Sequence, residues 1–176
     1  MDFFCPWFRR SLLGLLVLAS GCATVPHDAP LFSGLSPQPS AAANVYLLRP
    51  HNDFGRWASP IVFFNGTRIV DLPDGAYTML QVAAGTYSIT TARSQVWSGA
   101  WDINGELKAE NGHTYFLALI RETTSRPVYF TVGSAPASTQ GTYLSTEGWI
   151  PYLEEDATRI LRSLRFVKPE TLVLAK

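Results

Sequence analysis

The chain has 176 residues, 47% of them apolar, 12% aromatic and 16% charged, with 14 Lys+Arg against 14 Asp+Glu. That profile excludes a disordered or collagen-like chain and a polytopic membrane protein, and a chain of this size buries roughly two-thirds of its surface without needing metal or disulfide. A formal net charge of zero removes the long-range attraction that nucleic acid exerts on a basic domain, so no nucleic-acid partner is expected.

Residues 1–22 fall into three zones: a start ending in Arg9-Arg10, an apolar stretch Leu12-Leu13-Gly14-Leu15-Leu16-Val17-Leu18-Ala19, and small residues Ser20-Gly21 before Cys22. The apolar stretch is about 12 Å long as a helix, whereas spanning a bilayer takes about 20 residues, so residues 1–21 read as a cleaved secretion signal. The run Leu18-Ala19-Ser20-Gly21-Cys22 resembles the bacterial lipobox, with Ala19 where leucine is commoner. The resemblance implies cleavage between Gly21 and Cys22, a diacylglycerol thioether on Cys22 and acylation of the new amine. This covalent lipid is the only prosthetic group expected. Cys5 leaves with the signal, so Cys22 is the sole mature thiol, no intramolecular disulfide forms, and lipidation accounts for a lone cysteine in an exported chain. Two or three acyl chains anchor almost permanently. Cleavage also removes Asp2, Arg9 and Arg10, leaving one more acidic than basic side chain, so charge does not hold the domain on phospholipid. By resemblance to sorted lipoproteins, Ala23 after the cysteine implies the outer membrane, with the domain facing the periplasm.

Residues 22–43 carry Pro26, Pro30, Pro37 and Pro39 among Ser, Ala and Gly, with Asp28 as the charged residue, which is the composition of a tether. Pro-rich chain extends about 3.1 Å per residue, giving a reach of roughly 60 Å.

From residue 44 to 168 the pattern is short β-branched and aromatic runs separated by turns. Val45-Tyr46-Leu47-Leu48-Arg49 is a first strand, stopped by Pro50. Ile61-Val62-Phe63-Phe64, Asn65-Gly66 and Thr67-Arg68-Ile69-Val70 predict a hairpin, because Asn-Gly suits the two positive φ angles of a type I′ turn. Pro73-Asp74-Gly75 is a second turn before a strand over 77–82, and Gly85 restarts the chain into Thr86-Tyr87-Ser88-Ile89-Thr90-Thr91, alternating apolar and hydroxyl. Strands are expected over 96–103, with Asn104-Gly105 as the following turn, then over 113–121 and 128–132. Tyr115-Phe116-Leu117-Ala118-Leu119-Ile120 is apolar on both alternating faces and needs cover on each. The spacing of Leu153, Ala157, Ile160, Leu161 and Leu164 predicts a covering helix near 151–166, with Pro151 at its start, Glu155 paired to Arg159, and Pro169 opening the tail 169–176. The architecture expected is mainly β: an antiparallel β-sandwich, transthyretin- or Ig-like in outline, with one C-terminal amphipathic helix packed on it.

Val45-Tyr46-Leu47-Leu48-Arg49-Pro50, Phe64-Asn65-Gly66 with Leu72, Gly75-Ala76-Tyr77, Ala84-Gly85-Thr86-Tyr87 and Gly112-His113-Thr114-Tyr115-Phe116 are similar to the bacterial lipoprotein family called domain of unknown function twenty-eight forty-six. The resemblance covers roughly residues 44–132. The segment 94–106 and the region after Val132 depart from it. It implies a small β-sandwich on a lipid anchor and no particular activity.

Chemistry is sparse. There is no Gly-x-Ser-x-Gly elbow, no His-Glu-x-x-His helix and no Gly-rich phosphate loop, and no catalytic residue is assigned. Outside the tether the histidines are His51, in the polar loop His51-Asn52-Asp53, and His113, opening a strand. With no cysteine beside them they do not make a zinc set, and Asp102-Ile103-Asn104-Gly105-Glu106 places its glycine wrongly for a calcium loop, so no metal is expected. Trp57, Trp97, Trp101 and Trp149 survive cleavage. In an extended segment Trp97, Gly99 and Trp101 share one face, forming either a platform for a sugar or protein, or a cap on the core. Arg49 either meets an anionic partner or pairs with a carboxylate such as Asp71. These observations lead to a non-enzymatic, membrane-tethered structural or protein-interaction module with a periplasmic or envelope protein partner. A module binding cell-wall glycan or a small ligand through Trp97 and Trp101 is the alternative. A periplasmic hydrolase comes third, and needs His51 or His113 to gather Asp and Ser in a concave pocket.

Overall fold

The structure is a computed structural model that describes residues 25–52, 56–92, 102–132 and 135–170. Its central strand, β1 (Ala43–Arg49), is buried along its whole length because two layers cover it. Ala43, Val45 and Leu47 point into the core between two sheets, while Tyr46 and Leu48 point the other way into a second core. Antiparallel to β1 lies β4 (Ala76–Val82), and on its other side, running parallel, lies β7 (Thr114–Val132). The strand β8 (Ala135–Pro151) completes one edge and the two-residue β9 (Arg165–Phe166) the other, giving the order β8-β7-β1-β4-β9. The second sheet is antiparallel, in the order β3-β2-β5-β6, from β2 (Ile61–Phe64), β3 (Thr67–Asp71), β5 (Gly85–Ala92) and β6 (Asn104–Ala109). The sandwich expected from the sequence is present, but one sheet is mixed: the chain between β1 and β7 crosses through the second sheet and returns in the same direction.

The tight turn at Asn65-Gly66 has both residues at positive φ, 47° and 77°, as the dipeptide predicts. The two-sided strand is also as expected. Leu117 and Leu119 of β7 face the inter-sheet core, and Phe116 and Ala118 meet Ala157, Leu161 and Leu164 in the second core.

The helix itself is shorter than its periodicity suggests. Helix α1 covers Glu154–Leu161, Pro151 closes β8, and Leu153, expected on the apolar stripe, sits at the N-cap with 78% of its surface exposed. Beyond Leu161, turn hydrogen bonds from Ser163 N to Ile160 O and Leu164 N to Leu161 O swing the chain back so that Arg165-Phe166 pair with Ala76-Tyr77. Arg159 pairs with Asp156 and not with Glu155.

Two further expectations are corrected. Asn104-Gly105 is not a turn: Gly105 lies inside β6 opposite Ile89, and a Cβ there would stand 3.0 Å from Trp149 Cδ1, so this glycine lets β8 approach across the sandwich. The segments 113–121 and 128–132 are one strand, kept continuous by its pairing with β8 through a register shift at Glu122/Thr123.

Residues 25–42 are docked and not extended. Phe32 packs edge-on to Tyr46 and Tyr77, with ring centroids 6.5 and 5.8 Å away. The Phe166 and Ser36 backbone N–H groups donate to Pro30 O and Tyr46 Oη, and the Arg165 guanidinium donates to Ala29 O. Asn44, fully buried, donates to Ser36 O and Pro37 O and accepts from Gln81. The proline-rich composition describes this segment's backbone, while Phe32 and Asn44 determine that it stays on the surface of the domain.

Candidate functional site

The polar groups of the domain gather at the end of the sandwich where β1 stops. Pro50 ends the ladder and exposes His51-Asn52, and Pro73-Asp74-Gly75 turns back into β4 beside them. Asp74 joins the two loops, since Oδ1 accepts from Asn52 N at 2.9 Å and Oδ2 lies 2.9 Å from His51 Nδ1. Gly75 has φ 72°, donates its N–H to Arg49 O, and leaves its α-carbon bare so that the imidazole can lie on it: a Cβ there would be 2.1 Å from His51 Cε1. The Asn52 side-chain amide donates to Arg121 O at the root of the β7–β8 hairpin, where Arg121 Nε faces Glu147 at 3.5 Å. One cluster therefore ties together the exit of β1, the β3–β4 turn and the hairpin root.

Arg49, expected on an interaction surface or paired with Asp71, is neither. It is 3% exposed and its Nη1 donates to Ala58 O at 2.6 Å and Leu72 O at 2.8 Å, binding the second sheet to the first. Asp71 pairs with Arg68 instead. Burial pushes the Arg49 guanidinium down from its ordinary range to about 10, with Asp74 opposing the shift.

Beside this cluster a concavity of about 250 Å³ is lined by Val25, His27, His51, Asp74, Ser163 and Arg165. It assembles the residue types of a nucleophilic triad, but the Ser163 hydroxyl donates to Ile160 O at 2.8 Å. His113, 62 positions further along the chain than His51, is exposed and bonds Asn111 O. Among the described residues no group of three His, Cys, Asp or Glu side chains is placed to hold a metal ion, and no helix is long and apolar enough to cross a membrane.

Gly21, Cys22, Trp97 and Trp101 lie outside the described residues. Of the tryptophans among the described residues, Trp57 is 50% exposed, whereas Trp149 is 9% exposed and its indole N–H has no hydrogen-bond partner among the described residues. Sequence reasoning gave Asp74 only a turn role, although the pairing of Pro73-Asp74-Gly75 with a polar His51-Asn52 loop was the available signal.

Fold and cluster define a β-sandwich domain with a mixed sheet, a docked N-terminal segment and a long hairpin. Residues 39–134, more than half of the chain, match the family model described as protein of unknown function (DUF2846), and the chain belongs to that family. A search of the curated proteins finds no match.

Proposed function

We propose that the protein is an outer-membrane lipoprotein, held by a diacylglycerol thioether and an N-acyl chain on Cys22, whose sandwich is a non-enzymatic, periplasm-facing module for a protein partner of the envelope. The observation that carries this reading is the basic and apolar leader ending in Leu18-Ala19-Ser20-Gly21-Cys22, three residues before the chain meets the domain at Val25. The two or three acyl chains supply the membrane affinity that a near-neutral domain lacks. Intact mass of the membrane-extracted protein should give a chain starting at Cys22 and carrying lipid, and Cys22→Ser should move it to the soluble fraction. Crosslinking in intact envelopes should then recover one reproducible protein neighbour. An unmodified sulfhydryl at Cys22, or a crosslinking experiment with no enriched protein, overturns the anchor or the module respectively.

A hydrolytic reading has one observation in its favour, the His51–Asp74 pair sharing a concavity with Ser163. It requires the serine to turn from Ile160 O toward the imidazole. Labelling of Ser163 by a fluorophosphonate, abolished by His51→Gln, would establish it, and an unlabelled protein would remove it.

A further inference from the structure

Among the described residues the sheet edges are treated unequally. The Glu170 N–H donates to Ile69 O of β3, whose pairing with β2 is also broken by a register shift at Val62/Phe63. On the outer side of β9, Leu31 bridges Arg165 and the Phe166 N–H donates to Pro30 O. The outer edge of β6 has no such cover: β6 is last in its sheet and pairs with β5 alone.

The register tells which groups this edge leaves free. The Thr91 N–H donates to Ile103 O, and hydrogen-bonded pairs in an antiparallel ladder recur at every second residue, so Gly105, Leu107 and Ala109 bond to β5. The N–H and C=O groups of Asn104, Glu106 and Lys108 therefore point away from the sheet. At the next outward position the Glu110 N–H donates to the Tyr115 hydroxyl at 3.1 Å, so the edge is closed there by the protein itself. The inward side chains of Leu107 and Ala109 are buried, whereas those of Glu106 and Lys108 are exposed. Neither a proline nor an inward-pointing charge, two common guards of a free edge, occurs in Asn104–Ala109. The flank is open as well, with a cleft of about 210 Å³ beside it, lined by Leu107, Tyr115, Trp149 and Tyr152.

Lys108 would repel another lysine, which is a further way to protect an edge, but a glutamate opposite cancels it. Here the edge supplies that glutamate. In an antiparallel pairing centred on Leu107, Glu106 of one copy lies opposite Lys108 of the other, and Lys108 opposite Glu106. Both positions present outward main-chain groups, so each pair exchanges both N–H···O bonds while opposite charges meet on the solvent side. Leu107 meets its counterpart on the two-fold axis, at a non-hydrogen-bonded site where side chains come closest, and the small Gly105 faces Ala109 next to it. Sliding the pairing by two residues sets Lys108 against Lys108 or Glu106 against Glu106, so charge selects this register.

We propose that β6 is a self-association edge: two copies of this chain join β6 to β6, antiparallel about Leu107, and fuse their four-stranded sheets into one continuous sheet. The contact is isologous, so it closes at two copies and consumes the free edge of both. It goes beyond the envelope-partner reading and depends on no anchor.

The test is sedimentation equilibrium of the full-length protein in density-matched detergent, with exchanges of the two exposed charges. The parent chain should weigh as a dimer at tens of micromolar, as suits a short interface. Lys108→Glu or Glu106→Lys alone opposes like charges at both pairs and should raise the dissociation constant about tenfold, whereas the two together restore both pairs and should return it to the parent value. Lys108→Pro removes an outward donor without touching the ladder to β5, so it should give a monomer with unchanged circular dichroism. A monomer at every concentration, or a dimer indifferent to the single exchanges, overturns the proposal. A monomeric parent whose crosslinks in intact envelopes disappear in Lys108→Pro gives the edge to a different protein, and overturns the second copy as its occupant.

Discussion

Arg49 is a charged side chain placed where an aliphatic one would ordinarily sit, and its hydrogen bonds explain why the fold keeps it. Replacing it by methionine fills the volume but leaves Ala58 O and Leu72 O without this donor in a buried site. Arg49→Met should therefore lose about 2–5 kcal/mol in urea unfolding. The same burial gives a pH signature. Above about 10, and up to the ordinary guanidinium range, the unfolded chain holds the Arg49 proton more tightly than the folded one, so this residue's contribution makes stability rise with pH there. Tyr77 acts oppositely. Desolvation, then Tyr46, raises its pKa above the ordinary 10, so the unfolded phenol ionises first and its contribution falls as pH climbs past that value. Urea midpoints taken from pH 8 to 11 should decline less steeply in Tyr77→Phe than in the parent chain, and more steeply in Arg49→Met. At Gly75 two costs coincide, a left-handed φ and the overlap of a Cβ with the His51 ring, whereas Gly112 has φ 74° with no atom of the described residues within 4 Å of a built Cβ. Gly112→Ala should cost about 1 kcal/mol and Gly75→Ala about 2 kcal/mol or more, the difference measuring the displacement of His51 from Asp74.

At the scale of elements, the docked segment depends on a buried amide. Asn44→Ala removes both donations to Ser36 O and Pro37 O and the acceptor of Gln81, so it should cost about 1–3 kcal/mol. Cleavage by a nonspecific protease within residues 25–42 should accelerate while the strands remain resistant, and cleavage that does not change would mean that Phe32 and the hydrogen bonds at Ala29, Pro30 and Ser36 hold the segment without Asn44. These contacts also mark where sequence reading stops. Strands and turns were legible because alternation and Asn-Gly report local backbone geometry, and the two-sided run 115–120 even called for the helix that covers it. The helix was overextended because Leu164 and Phe166 serve the second core from a turn and a strand, positions that helical spacing cannot distinguish from a longer stripe. Gly105 looked like a turn residue since nothing local reveals that Trp149 must pass over it. Arg49 looked like a surface charge for the same reason: its acceptors are 9 and 23 residues away. Of the polar cluster, His51 was singled out but not its alignment on Asp74, which only the third dimension supplies.

For the whole molecule, the sandwich and the outer part of the β7–β8 hairpin (the arm, residues 123–132 and 135–145) should behave as separable units, because β7 pairs with β1 at 114–118 and its ladder beyond the register shift at Glu122/Thr123 is with β8. The ties at the root, Asn52 to Arg121 O and Arg121 to Glu147, involve residues before 123 or after 145. Glu122 and Thr146 are paired, so an Asn-Gly turn between them can close the shortened hairpin in the register the strands already have. A chain with residues 123–145 replaced by Asn-Gly should keep its circular dichroism and melt within about 4 °C of the parent, a shift corresponding to roughly 1 kcal/mol for a domain of this size. A larger loss would mean that the arm braces the sandwich, and its length would then need no partner outside the chain. If the melt is unchanged, some 23 residues are being maintained that folding does not require. Their sequence, uncharged over 127–146, would then have to be explained by something other than folding.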